Sequence, residues 1–190
     1  LTTENFSQFH NTPVKVQARD LMSVGMWPTG GCEDCQGIEQ TGGTSDRMLH
    51  NSIPGLYPKQ TGNTTTPAIL EVYFNNTCNL GCVYCSSQLS STIEAEDRKF
   101  GTLTTENHFR DLVPHFWEWF TTGFQTVQRL HILGGEPFYQ KEFDRLLDMI
   151  DQHPNPNCEL NIVTNLMLPT ERFNKANKQT VFKDSVKATS

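Results

Sequence analysis

Three cysteines spaced CxxxCxxC (Cys78, Cys82 and Cys85) lie in the stretch NNTCNLGCVYC at residues 75–85, and no other feature limits the possible folds so sharply. The residues before them, AILEVYF at 68–74, read as a buried strand rich in Ile, Leu, Val and aromatic side chains. The thiols therefore fall on a loop just past the carboxyl end of a strand, the edge at which open and barrel α/β folds bind ligands.

Gly81 and the short polar residues Asn76, Thr77 and Asn79 let this loop curl, so three thiolates can converge on one inorganic centre. A structural zinc site takes four protein ligands and an ordinary electron-transfer cubane takes four cysteines. A tight three-cysteine loop instead suits a [4Fe-4S] cluster with one iron left open. Two inert core thiols, or half of a zinc ribbon completed elsewhere, would also produce the spacing.

A second motif separates these readings. LHILGGEP at residues 130–137 is a short apolar strand running into Gly134, Gly135, Glu136 and Pro137. Glycines without Cβ allow the backbone to approach a bound ligand closely, and Glu136 supplies an acceptor suited to an ammonium group. A Gly-Gly turn ahead of a helix would explain the glycines but not their pairing with CxxxCxxC one strand upstream. Together the two motifs, with the aromatic Tyr84 just before the last cysteine, resemble those of the radical S-adenosylmethionine (SAM) superfamily.

That resemblance implies that Cys78, Cys82 and Cys85 ligate a [4Fe-4S] cluster. It implies that Gly134, Gly135, Glu136 and Pro137 cradle the methionyl end of SAM, and that Tyr84 makes a backbone contact to adenine. Thr164-Asn165, at the end of CELNIVTN (158–165), resembles the family's TN(G) motif and adds Asn165 to the SAM pocket; Leu166 stands where the glycine is usual. The implied chemistry is reductive cleavage of SAM to a 5′-deoxyadenosyl radical that abstracts hydrogen from a substrate. An electron donor such as a flavodoxin or ferredoxin is implied as a partner.

The rest of the chain fits an α/β architecture. After the cluster loop, SSQLSSTIEAEDRKFG reads as a solvated loop with a short helix over 93–99. Thr104 or Thr105 then caps a helix whose Phe109, Leu112, Val113, Phe116, Trp117 and Phe120 line one face, and Pro114 predicts a kink or restart. Residues 127–133 form a second strand, 140–151 a helix with Phe143, Leu146, Leu147 and Ile150 on one side, 158–165 a third strand, and 168–179 the start of another helix. Connections of this length predict parallel strands. The fold expected is the first three βα units of a partial (β/α)6 TIM-like barrel, over residues 68–190. The absence of an initiator methionine and the ending inside a helix suggest a fragment, whose exposed third strand would favour aggregation.

Residues 1–67 read as an irregular Cys-containing segment with a short helix over 14–24, a CxxC hairpin at Cys32 and Cys35, and a Pro/Gly-rich linker over 48–67. Its Trp27, Cys32, Cys35, Glu39, Gly42, Gly43, Ser45 and Arg47 are similar to the segment preceding the core in twitch-domain radical SAM proteins. This resemblance makes Cys32 and Cys35 candidates for a second cluster or a zinc ion, with a plain reduced turn as the alternative, and it hints at a peptide or protein substrate.

A net charge of −6 over 190 residues provides no electrostatic footprint for nucleic acid. No apolar run approaches a membrane span, and no signal peptide opens the chain. Five of the six cysteines fall in the CxxC and CxxxCxxC groups, a usage that suits a reducing compartment, and a cytoplasmic address is expected. From a different class, the rival function is a zinc-binding interaction module using Cys32, Cys35 and two of the later cysteines. A dithiol redox protein built on Cys32 and Cys35 would need a preceding strand that residues 22–31 do not supply.

Overall fold

The computed structural model describes residues 6, 8–56, 60–61, 64–103, 109–167 and 170–177. The chain divides into two compact units, one over Thr3–Ala68 and the other over Ile69–Ser190.

The first unit is more regular than its sequence suggests. Helix α1 spans Pro13–Ser23, with a proline at its start where the fixed φ suits a first turn. Helix α2 spans Glu33–Gln40, and Glu33 and Asp34 place negative charge in its first turn, favourable to the helix dipole. Cys32 is the residue capping α2 and Cys35 lies in its first turn, so the expected CxxC hairpin is a helix start instead. Helix α3, Asp46–Asn51, occupies the beginning of the expected linker and is capped by the Ser45 hydroxyl, which accepts from the Met48 amide at 3.3 Å. Strands β1 (Gln60–Thr61) and β2 (Thr64–Thr65) pair antiparallel.

One cluster ties α2 to α3. The Glu39 carboxylate accepts from the Ser45 hydroxyl at 2.5 Å and from Arg47 Nε at 3.1 Å, and also pairs with Arg47 Nη2. The guanidinium of Arg47 lies 4.8 Å from the centre of the Trp27 ring. Glu39, Arg47 and Trp27 also line a cavity of about 160 Å³ together with Met22, Gly25 and Met26.

The second unit is built on a parallel sheet in the order β3 (Ile69–Tyr73), β4 (Arg129–Leu133), β5 (Glu159–Ile162). Ile69 pairs with Arg129, and Arg129 with Glu159. Helix α4 (Ser91–Phe100) follows the cluster loop, α5 (Phe109–Gly123) connects to β4, α6 (Lys141–Gln152) lies between β4 and β5, and α7 (Thr170–Asn177) follows β5. This mixed α/β arrangement is consistent with a partial TIM-like fold.

The strand before the cysteines, expected to be buried, is covered on one face: Val72 and Phe74 are buried while Glu71 and Tyr73 are exposed. Phe74 stacks on Trp117 of α5 with ring centres 5.4 Å apart and meets Phe116 edge-on. Leu130, Ile132 and Leu160 are also buried, and α6 buries Phe143, Leu146, Leu147 and Ile150, the face predicted for it. Truncating a leucine such as Leu146 to alanine in such a core costs about 2–5 kcal/mol.

Helix α5 continues through Pro114, so the helix does not restart there. Pro114 is exposed, whereas Phe116, Trp117 and Phe120 beyond it are buried, so packing of that face outweighs the lost backbone bond. The caps expected at Thr104 or Thr105 lie outside the described residues. No helix among the described residues is long and apolar enough to cross a membrane.

Candidate functional site: the cysteine loop and the Gly-Gly-Glu-Pro turn

The two motifs meet through main-chain hydrogen bonds. The Glu136 amide donates to the Thr77 carbonyl at 2.8 Å, just before Cys78, and the Gly135 amide donates to the Leu89 carbonyl at 3.0 Å, shortly after Cys85. The turn that ends β4 therefore holds both ends of the segment carrying the three thiols. Gly134 and Gly135 adopt φ of +77° and +58°, and a Cβ on them would come within 2.4 Å of the Tyr73 ring and 2.5 Å of the Thr77 carbonyl oxygen. The close approaches that require glycine here are made to the neighbouring strand and the cysteine loop.

Asn75 shapes the loop entrance: its side chain accepts from the Thr77 amide and donates to Glu142 on α6, each at 2.9 Å. Helix α4 then holds the first half of the loop at alternate residues. The Ser91 amide donates to the Asn76 carbonyl at 2.7 Å, the Ser91 hydroxyl accepts from the Cys78 amide at 3.1 Å, and the Ser90 hydroxyl donates to the Leu80 carbonyl at 2.8 Å. Asn76 also donates to Glu94 at 2.6 Å. The serine-rich run expected to be a solvated loop is thus partly a helix start packed on the cysteine segment.

Cys78, Cys82 and Cys85 are free thiols, each partly exposed. The Leu80 amide lies 3.5 Å from Cys78 Sγ, while the second half of the loop is held by a turn from the Cys85 amide to the Cys82 carbonyl at 2.9 Å. Val83 and Tyr84 at the tip of that turn are almost fully exposed. The Cys82 side chain beside the Tyr84 hydroxyl pushes the tyrosine pKa up. Among the described residues no three His, Cys, Asp or Glu side chains are gathered closely enough to hold a metal ion. As a donor set, three unpaired, accessible thiols on one loop nevertheless fit an iron–sulfur cluster, with an amide near one sulfur as such clusters favour.

Glu136 was expected to face an ammonium group, but its side chain is fully buried and bound within the chain. Oε1 accepts from the Thr164 hydroxyl at 2.7 Å and the Phe138 amide at 3.2 Å, and Oε2 accepts from the Asn165 amide at 2.8 Å. Pro137, also buried, begins the short 3-10 turn that follows. Asn165 donates to Asn79 at 3.0 Å and accepts from the Met167 amide at 2.8 Å, bringing the end of β5 to the cysteine loop. Leu166 takes φ of +58°, the left-handed conformation that the missing glycine would adopt freely.

Cys32 and Cys35 remain at the start of α2, and among the described residues no metal-sized group forms around them, so a second cluster or zinc gains no support. Cys158 is partly buried, and burial pushes its thiol up to about 12.

Sequence reasoning missed a polar row on the sheet face opposite Val72 and Ile132. Glu71, His131 and Asn161 occupy matching positions on β3, β4 and β5; His131 Nδ1 lies 3.9 Å from Glu71, and its Nε2 is buried with no partner among the described residues. Strand alternation around Glu71 and His131 was the available signal.

The family model described as Radical SAM superfamily matches residues 72–187. The match covers more than half of the chain, includes both motifs and begins after the Trp27, Cys32 and Arg47 segment. No curated protein and no solved structure shows a significant match.

Proposed function

The chain belongs to the radical SAM superfamily, and on that premise we propose that it is an enzyme binding a [4Fe-4S] cluster through Cys78, Cys82 and Cys85 and SAM at the iron they leave open. The observation that carries this reading is the grip of the Gly135 and Glu136 amides on Leu89 and Thr77, which brings the cysteine loop and the Gly-Gly-Glu-Pro turn into one site. When bound, the cluster and SAM supply reductive cleavage to a 5′-deoxyadenosyl radical that takes hydrogen from a substrate.

The chain's own residues hold and orient. Gly134, Gly135, Glu136 and Pro137 border the methionine end, and recognition there falls to the main chain because the Glu136 carboxylate already accepts three internal hydrogen bonds. Tyr84 contributes its backbone toward adenine. Asn165, tied to Asn79, lines the pocket beside the cysteine loop. The polar row of Glu71, His131 and Asn161 suits a substrate carrying hydrogen-bonding groups, and a peptide or protein is the substrate class we favour, with a flavodoxin or ferredoxin as electron donor.

Anaerobic reconstitution followed by iron, sulfide and zinc quantitation and a visible spectrum before and after dithionite tests the reading. Iron and sulfide near four per chain, a band that bleaches on reduction and SAM cleavage lost in Cys82→Ala are expected. Iron near eight would bring Cys32 and Cys35 into a second cluster. Zinc alone, or full SAM cleavage by Cys82→Ala, would overturn it.

A further inference from the structure

We propose that Ser91 and Thr92 are positioning residues that hold Cys78 in place before any cluster arrives, so that the site assembles from one fixed thiol and two movable ones. The inference rests on the cluster-binding reading above.

Three consecutive hydroxyls open α4, and only one of them serves the helix. Ser90 is the cap, its hydroxyl accepting from the Ile93 amide at 3.5 Å. The other two face Cys78. The Ser91 hydroxyl accepts from the Cys78 amide at 3.1 Å and donates to the Cys78 carbonyl at 3.2 Å, while the Thr92 hydroxyl donates to the same carbonyl at 3.1 Å. One residue thus has its N–H and both carbonyl lone pairs occupied, which restrains the dihedrals on either side of its Cα and hence the direction of its Cβ.

Among the described residues the Cys82 and Cys85 backbones have no such side-chain anchor, the nearest being the Asn76 side chain, which donates to the Ser87 carbonyl at 2.9 Å. Their segment is bonded by its own turn, with Val83 and Tyr84 at the exposed tip. A ligand loop with one of its three cysteines anchored through its own backbone loses less conformational freedom on capture than one with none. Cys78 would receive the incoming iron–sulfur unit, and the turn carrying Cys82 and Cys85 would close over it.

The test compares Ser91→Ala/Thr92→Val with the conservative Ser91→Thr and Thr92→Ser in the full chain. The double variant retains the Ser90 cap and the branched shape at position 92, so α4 is expected to fold. Amide hydrogen exchange of the cluster-free chain, cluster release to a ferrous chelator, and the EPR spectrum of the reduced cluster are measured. In the wild type, the Cys78 amide should exchange far more slowly than those of Val83 and Tyr84. The double variant should lose that protection, release iron about ten- to a hundredfold faster and show an altered EPR line shape, since groups behind metal ligands carry effects of this size. The conservative variants should restore all three.

A wild-type Cys78 amide that exchanges as fast as Val83 overturns the proposal even if every variant misfolds. A double variant that loads, releases iron and gives EPR signals like the wild type overturns it while leaving the functional reading intact. A wild type that takes up no iron overturns the functional reading, and the positioning role falls with it.

Discussion

The hydroxyl of Thr164 donates to the carboxylate of Glu136 at 2.7 Å, joining the loop after β5 to the turn after β4 across 28 positions of sequence. With the Asn165 and Phe138 amides on the same carboxylate, a buried acid becomes the fastener between two strand ends. Glu136→Gln exchanges one acceptor oxygen for a donor, leaving at least one of these partners facing an N–H. The variant should lose about 1.5–3 kcal/mol, the usual worth of hydrogen bonds to a charged group. Urea unfolding checks this, and a midpoint equal to wild type would show that the carboxylate is dispensable to the fold.

Leu166 is held at φ of +58° with its side chain largely exposed, so its replacement changes backbone strain more than packing. Leu166→Gly should raise stability by up to about 1 kcal/mol, the relief of left-handed strain being partly offset by glycine's freedom in the unfolded chain. Leu166→Val should lower it, because a branched Cβ is worse placed in that conformation. Thermal unfolding of the two variants should shift in opposite directions; matching shifts would remove strain as the explanation.

Acid should loosen the join between α2 and α3. The Arg47 side-chain hydrogen bond, followed by that of Ser45, holds the Glu39 carboxyl below its ordinary value of 4.5. For a depressed carboxylate the unfolded chain takes up protons first. The extra stability is therefore present above about pH 4.5 and is lost as pH falls through the lower folded value. NMR-monitored unfolding of residues 33–51 should show this loss in wild type and a flatter profile in Glu39→Gln. Parallel profiles would assign the acid sensitivity elsewhere.

Thiol labelling distinguishes Cys158 from the cysteines of the two sequence groups. With its thiol pushed up to about 12 by burial, Cys158 should react about a thousandfold more slowly than an ordinary cysteine near neutral pH, because only the thiolate attacks. Iodoacetamide labelling read by peptide mass spectrometry should mark Cys158 only after denaturant is added. Labelling at the rate of Cys82 in the native chain would show that Cys158 is open to solvent.

The order of strands and helices in the second unit was readable because each element repeats its apolar residues at a distinct period. Phe143, Leu146, Leu147 and Ile150 follow helical spacing, and Leu130 and Ile132 alternate as a strand does. The cysteine spacing and the Gly-Gly-Glu-Pro turn were equally plain, since each is contiguous. Local chemistry misled where it was ambiguous: the glycines and CxxC at residues 30–35 suit a hairpin as well as a helix start, and the acidic first turn of α2 favours the latter.

What tertiary structure alone decided were the partners of polar groups. No local pattern marks the Glu136 carboxylate as bound to Thr164 and Asn165, or the hydroxyls of Ser91 and Thr92 as bound to Cys78. Apolar burial follows a residue's periodic place along its own element. A hydrogen bond instead needs two specific atoms about 3 Å apart, and for residues distant in sequence only the packed chain determines which atoms meet.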